Sequence, residues 1–155
     1  MNTLAKKVGM RLKRRGAKLV TAESCTGGWV SQAVTAIPGS SEWFERGFVT
    51  YSNAAKQELL GVKNATLKKY GAVSEQTARE MAKGALRNSR GTIAVSVTGV
   101  AGPTGGSDTK PVGMVCFAFA VRTRVFSETL RFRGNRESVR RQSVVHALKG
   151  VLKRG

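Results

Sequence analysis

At 155 residues the chain has the length of one domain, 1–155, enough to bury a hydrophobic core without disulfide or metal staples. Its hydrophobic content is 41%, no apolar run approaches the roughly 20 residues that span a bilayer, and the first fifteen residues are charged throughout, so the expectation is a cytoplasmic protein without membrane span or secretory leader. The outlying property is a net charge of +18: residues 1–20 hold seven Lys/Arg and no acid, and residues 121–155 hold ten against Glu128 and Glu137. Basic ends of this kind can neutralise nucleic-acid phosphates. The ten aromatic residues are not interleaved with the basic clusters as stacking platforms would be, so solvated helix faces are the favoured reading and nucleic acid the less favoured one. Cys25 and Cys116 lie far apart with no metal-ligand spacing, which predicts reduced thiols and no metal site.

In chain order, Leu4, Val8 and Leu12 recur every four residues among lysines and arginines and predict an amphipathic helix ended by Gly16. Residues 18–22 read as a strand, residues 23–28 as a glycine turn, and Trp29 to Thr35 as a helix stopped by Pro38-Gly39. Phe44 to Tyr51 is strand-like, and Asn53 is the expected N-cap of a helix over residues 54–60, ended by Gly61. After a short segment around Thr66 to Tyr70, Ser74 caps a long helix through Asn88 with Ala78, Met81, Ala82 and Ala85 on one face. Residues 92–98 form a β-branched, apolar run suited to a buried strand, followed by a loop, 99–111, with four glycines and two prolines. Residues 112–121 and 126–132 predict an antiparallel pair joined by a basic turn, and residues 136–152 a closing helix. This order of strands and helices predicts an α/β fold, a three-layer α/β/α sandwich with a mixed sheet of about five strands. Ligand sites in such folds gather in loops at the carboxyl ends of strands, here 23–28, 51–56 and 99–106.

The first of these loops places Ser24 before Gly27-Gly28 at a helix start, where backbone amides can face a developing oxyanion. A tight turn with Ser24 as a mere cap is the competing local reading, because the sequence is not a G-x-S-x-G elbow. A serine nucleophile needs a base. The single histidine, His146, lies inside the last helix pattern, whereas Tyr51 and Lys56 sit at a strand end and the following helix start. A lysine of intrinsic pKa about 10.4 serves as a base near neutrality only when burial or positive neighbours lower it. Cys25 is an alternative nucleophile. Residues 98–107 can cradle an anion on glycine amides but lack the lysine of a Walker loop, and Arg133, Arg136 and Arg140 flank the last helix where a phosphate could dock.

Several separated motifs, in this order, resemble the C-terminal domain of the CinA family: Thr21 to Gly28, Gly39 to Asn53 with Lys56, Gly71 to Ser74, and Thr98 to Gly106 with Lys110 to Gly113. The resemblance covers nearly the whole chain. It implies hydrolysis of nicotinamide mononucleotide to nicotinate mononucleotide and ammonia in pyridine nucleotide salvage, without cofactor. It further implies Ser24 as nucleophile, Lys56 as its base and Tyr51 beside them. Substrate contacts are expected from Thr26, Gly27, Gly28, Thr98, Gly99, Ala101, Gly102, Gly105, Gly106 and Arg140. A homo-oligomer is the expected assembly. An amidohydrolase of another small amide, or a basic nucleic-acid-binding module, are the competing functions. The chain departs from the family pattern in its basicity, and Gly134-Asn135-Arg136 stands where an acidic residue often follows the glycine.

Overall fold

The computed structural model describes all residues, Met1–Gly155. Five strands, β1 (Leu19–Glu23), β2 (Phe44–Val49), β3 (Ile93–Gly99), β4 (Met114–Val121) and β5 (Arg124–Arg131), form one sheet in the order β2-β1-β3-β4-β5. Strands β2, β1 and β3 are parallel, while β4 and β5 run antiparallel to their neighbours, giving the mixed sheet expected from the sequence. Six helices cover it: α1 (Asn2–Arg14), α2 (Trp29–Thr35), α3 (Asn53–Leu60), α4 (Asn64–Tyr70), α5 (Glu75–Arg87) and α6 (Arg136–Arg154).

Alternation along the central strands decides which helix packs where. Val95, Val97, Phe117 and Phe119 point to one face and meet Val8 and Leu12 of α1, Val30 and Val34 of α2, and Val144, Leu148 and Val151 of α6. The other face presents Ala22, Ala94, Ala118 and Ala120 to Leu60 of α3, Leu67 of α4 and Met81 and Ala82 of α5. Small side chains let α5 settle close to the strands, and Ser96 donates a 2.6 Å hydrogen bond to the Ala78 carbonyl across that contact. Bulky strand residues under three helices and small ones under the second layer thus produce the three-layer sandwich.

Several boundaries shift from their sequence expectations for identifiable reasons. Ser52, not Asn53, caps α3, its hydroxyl accepting from the Ala55 amide at 3.0 Å. Strand β2 stops at Val49, because the Thr50 and Tyr51 carbonyls turn to a side chain described below. Strand β4 begins at Met114: Gly113 adopts φ 91° and donates back to the Val100 carbonyl instead of entering the ladder. The hairpin turn is only Arg122-Thr123, so β5 starts at Arg124, two residues earlier than its apolar pattern suggests. No helix is long and apolar enough to cross a membrane, and both cysteines are free and buried.

Candidate active site

Three parallel strands deliver their carboxyl ends to the same sheet edge. Ser24 follows β1 directly and continues its ladder, its amide donating to the Val97 carbonyl at 2.9 Å, while Thr50 after β2 donates to the Glu23 carbonyl at 2.8 Å. The helix start after β2 carries Lys56 back over that edge. Its ammonium is buried, with the residue 1% exposed, and donates to Ser24 Oγ at 2.9 Å, to the Thr50 carbonyl at 2.8 Å and to the Tyr51 carbonyl at 3.3 Å. Three acceptors fix the amine in direction, and none is a carboxylate. Burial pushes the Lys56 pKa below its ordinary 10.5, and the neighbouring Cys25 opposes that shift only in part. The arrangement is a hydroxyl held against an amine biased toward its neutral form, which is the requirement for a lysine-activated serine.

The turn after Ser24 is shaped by glycine. Gly27 and Gly28 take φ values of 59° and 101°, the left-handed region that other residues avoid. Gly27 donates to the Ser24 carbonyl and Trp29 to that of Thr26, whereas the amides of Cys25, Thr26 and Gly28 donate to no protein acceptor. Free amides beside the Ser24 hydroxyl are the raw material of an oxyanion hole. Arg140 of α6 holds the opposite poles of the same peptides, donating from Nε to the Cys25 carbonyl at 3.0 Å and from Nη2 to the Thr26 carbonyl at 3.1 Å. Its guanidinium also lies 5.3 Å from the Trp29 ring centroid.

Two residues that sequence reasoning missed complete the turn. Glu23 is fully buried and caps α2 from the strand: Oε1 accepts from the Val30 amide at 2.8 Å, and Oε2 accepts from the Ser31 amide at 3.0 Å and the Ser31 hydroxyl at 2.8 Å. An acidic residue immediately before a glycine turn and helix start was the available signal, since carboxylates favour helix N-termini. Thr50 supplies the carbonyl under Lys56, and its hydroxyl, with that of Thr26, is a buried side-chain oxygen lacking a hydrogen-bond partner. Both orphaned hydroxyls therefore belong to the loops around Ser24, where a bound molecule or water would satisfy them.

The third loop is tied in by Arg136, which donates to the Gly102 carbonyl at 2.8 Å and to the Tyr51 phenol oxygen at 3.2 Å. Tyr51 thus meets Lys56 through its carbonyl while its ring turns outward, 63% exposed. Thr98 is buried and donates to the Ala72 carbonyl at 2.8 Å, anchoring the segment before α5. Gly99 ends β3, and Ala101 and Gly102 are buried with amides unused by the protein. Gly105 and Gly106 lie in the exposed part of the loop, and Gly106 packs beside Val112.

The remaining candidates are occupied elsewhere. His146 bonds Glu128 at 2.8 Å and stacks 4.6 Å from Phe117, which makes it part of the α6–sheet packing. Burial pushes the Cys25 thiol up to about 12, so it is a protonated thiol near neutrality and a poor nucleophile.

Known proteins with similar sequences and structures fit this geometry. The CinA C-terminal domain profile matches residues 1–154. Nicotinamide-nucleotide amidohydrolase PncC of Escherichia coli strain K12 is 56% identical over 146 residues, spanning 94% of this chain and 88% of that one. The protein of the same name from Pseudomonas putida is 51% identical over 155 residues, covering 100% of this chain and 97% of its own length. The crystal structure of the competence/damage inducible protein CihA from Agrobacterium tumefaciens superposes with a TM-score of 0.96 at 45% identity, covering 98% of this chain and 93% of that one. Agreement of profile, sequence and fold over nearly the full length establishes that the chain belongs to the CinA C-terminal domain family.

Proposed function

We propose that this domain hydrolyses the carboxamide of nicotinamide mononucleotide to nicotinate mononucleotide and ammonia through a Ser24–Lys56 dyad, in the cytoplasm and without a cofactor. The observation that carries the chemistry is the 2.9 Å contact between a buried lysine amine and the Ser24 hydroxyl, with no carboxylate on the amine. The names of relatives at 51–56% identity supply the substrate.

In the reaction, neutral Lys56 takes the Ser24 proton as Oγ bonds to the carboxamide carbon. The carbonyl π electrons move to oxygen, and the resulting oxyanion is received by amides of the turn, where those of Cys25, Thr26 and Gly28 have no protein acceptor. Lysine ammonium returns its proton to the departing nitrogen, the C–N bond breaks, and ammonia leaves an acyl-Ser24 ester. Water loses a proton to Lys56, attacks the ester, and the regenerated serine recovers that proton. The amine thus alternates between base and acid, which a pKa lowered toward neutrality favours.

The loop of residues 99–106 and the remaining donors of Arg140 form the wall against which ribose and 5′-phosphate would lie. Amides of Ala101 and Gly102 are unpaired, and Arg136 holds that loop to Tyr51. Ammonia release from nicotinamide mononucleotide by the wild-type chain tests the reading, with nicotinamide and its riboside as competing substrates. Activity on the mononucleotide is expected to fall by about 10⁴-fold or more in Ser24→Ala. Full activity in that variant would remove the dyad, and preference for another amide would replace the substrate.

A further inference from the structure

At the sheet edge opposite Ser24, the two basic ends of the chain converge on one cleft of about 990 Å³. Arg15 arrives from the end of α1, Arg122 and Arg124 from the β4–β5 hairpin, and Arg154 from the last turn of α6. No Asp or Glu side chain lines the cleft. Arg15, Arg122 and Arg124 are exposed and form neither an ion pair nor a side-chain hydrogen bond, so three guanidinium groups are available to a ligand, with the terminal residue Gly155 also on the cleft wall. Arg154 is held in place, its guanidinium 4.3 Å from the Phe119 ring centroid and 5.2 Å from that of Phe126. Like charges gathered around a concavity raise its potential and attract anions.

The hairpin adds a second, independent observation. Arg122 is the one non-glycine residue with positive φ, at 57°, in a two-residue turn where Asn or Gly is ordinarily found. Glycine in this place would relieve the backbone but would remove a guanidinium from the cleft wall. Phe126 is 40% exposed on the cleft wall, and Ile93 and Val121 contribute apolar surface beside it.

We infer that this cleft is a second binding site, specific for a nucleotide carrying two or more phosphates. Guanidinium forks match phosphate oxygens in pairs, and the part of the Phe126 ring left exposed beside Arg154, with its apolar surround, suits a planar base. The volume lies in the range of small-molecule sites. A single aromatic platform fits one base, whereas a nucleic-acid strand would need a succession of them. The site lies the length of β1 or β3 from Ser24, roughly 20 Å at about 3.3 Å per residue, so it is separate from the amidase mouth and independent of the proposed reaction.

Calorimetric titration of the full chain with ADP, AMP and a short oligothymidylate at low and near-physiological salt tests this inference. The expected result is saturable binding of one ADP per chain, tighter than AMP, and weakened at least about tenfold in the Arg15→Ala/Arg124→Ala double variant. That variant is expected to keep wild-type ammonia release, which also reports that it is folded. Absence of saturation by ADP, equal affinity in the double variant, or tighter binding of the oligothymidylate through the same arginines would each overturn it. So would ADP binding that is lost in Arg140→Ala but retained in the double variant, because that pattern belongs to the catalytic mouth.

Discussion

Glu23 and Ser31 face each other across the glycine turn and are joined twice, the Ser31 amide and hydroxyl both donating to Oε2 at 3.0 and 2.8 Å. With the Val30 amide on Oε1, one buried carboxylate satisfies two otherwise unpaired amides of the α2 N-terminus and sits at the positive end of its dipole. The turn between them, Ser24 to Gly28, has both its ends clamped. Glu23→Ala leaves the Val30 and Ser31 amides unpaired, while the Ser31 hydroxyl keeps its 2.7 Å contact with Thr21 Oγ1, and is expected to lower unfolding free energy by about 2–4 kcal/mol. Urea denaturation measures this. Glu23→Gln, which keeps one oxygen acceptor, should lie between the two, and equal stability of all three proteins would show that the clamp is idle.

Lys56 makes the pH dependence predictable in sign. In the proposed reaction the working base is the neutral amine, and burial lowers its pKa from 10.5, so kcat/KM should rise with pH through that lowered value and fall as the amine protonates below it. Stability follows the same direction. The unfolded chain binds the Lys56 proton more tightly than the folded one, so this group's destabilising contribution diminishes as pH rises toward 10.5. Lys56→Arg, permanently charged, should lose about 10²–10⁴-fold in kcat, together with the rising limb of the profile. A profile unchanged in Lys56→Arg would assign the titration to another group.

Cys25 titrates in the opposite sense. Its thiol is raised from 9.0 to about 12 by burial, so the folded chain retains a proton that the unfolded chain releases. This group's stabilising contribution is complete below pH 9 and declines between pH 9 and about 12. Iodoacetamide at pH 8 should leave Cys25 unmodified until denaturant is added, as read by peptide mass spectrometry. Cys25→Ala keeps the backbone amide and should retain ammonia release within a few-fold, whereas loss comparable to that in Ser24→Ala would make the thiol the nucleophile.

Much of the architecture was legible because it is written in period and punctuation. Val95, Val97, Phe117 and Phe119 alternate with small residues, Ala94, Ser96, Ala118 and Ala120, Gly16 and Gly61 end helices, and Ser74 caps α5 through the Thr77 amide. Helix α4 was seen only as a segment, since its N-cap, Lys63, contributes no side-chain bond and leaves no cap signature. Ser24 and Lys56 are separated by 32 positions, and their 2.9 Å contact depends on β1 and β2 being parallel neighbours, which no local pattern encodes. Motif resemblance named Ser24 and Lys56. It could not reveal that Thr50 and Tyr51 lend carbonyls to the amine, or that Glu23 fixes the turn, because backbone acceptors and long-range caps have no residue-type signature.

Gly84 governs how closely α5 approaches α3. A Cβ there would overlap the backbone carbonyl of Leu60, the last residue of the helix that carries Lys56. Gly84→Ala gains about 1 kcal/mol of intrinsic helix propensity, yet the collision with backbone should outweigh it and leave a net loss of up to about 2 kcal/mol. Thermal unfolding reads this balance, and a stabilised Gly84→Ala protein would show that α3 yields without cost.

Arg136 comes directly after Asn135, which stands where an acidic residue often follows the glycine in the family pattern, and its two donors join loops from different strands: Gly102 after β3 and Tyr51 after β2. Neither partner is Ser24 or Lys56, so in the proposed reaction the residue would act by positioning the substrate wall. Arg136→Ala should therefore raise KM for nicotinamide mononucleotide about ten-fold or more while leaving the Lys56-dependent pH profile in place. Lysine at this position can reach one acceptor but not span two with a rigid fork, so Arg136→Lys should recover only part of the loss. Tyr51→Phe removes the phenol acceptor and keeps the Gly102 bond, which predicts a smaller KM increase than Arg136→Ala. Equal KM values across the three variants would mean that the bridge has no part in substrate binding, and a collapse of kcat at unchanged KM would move Arg136 from the wall to the reacting centre.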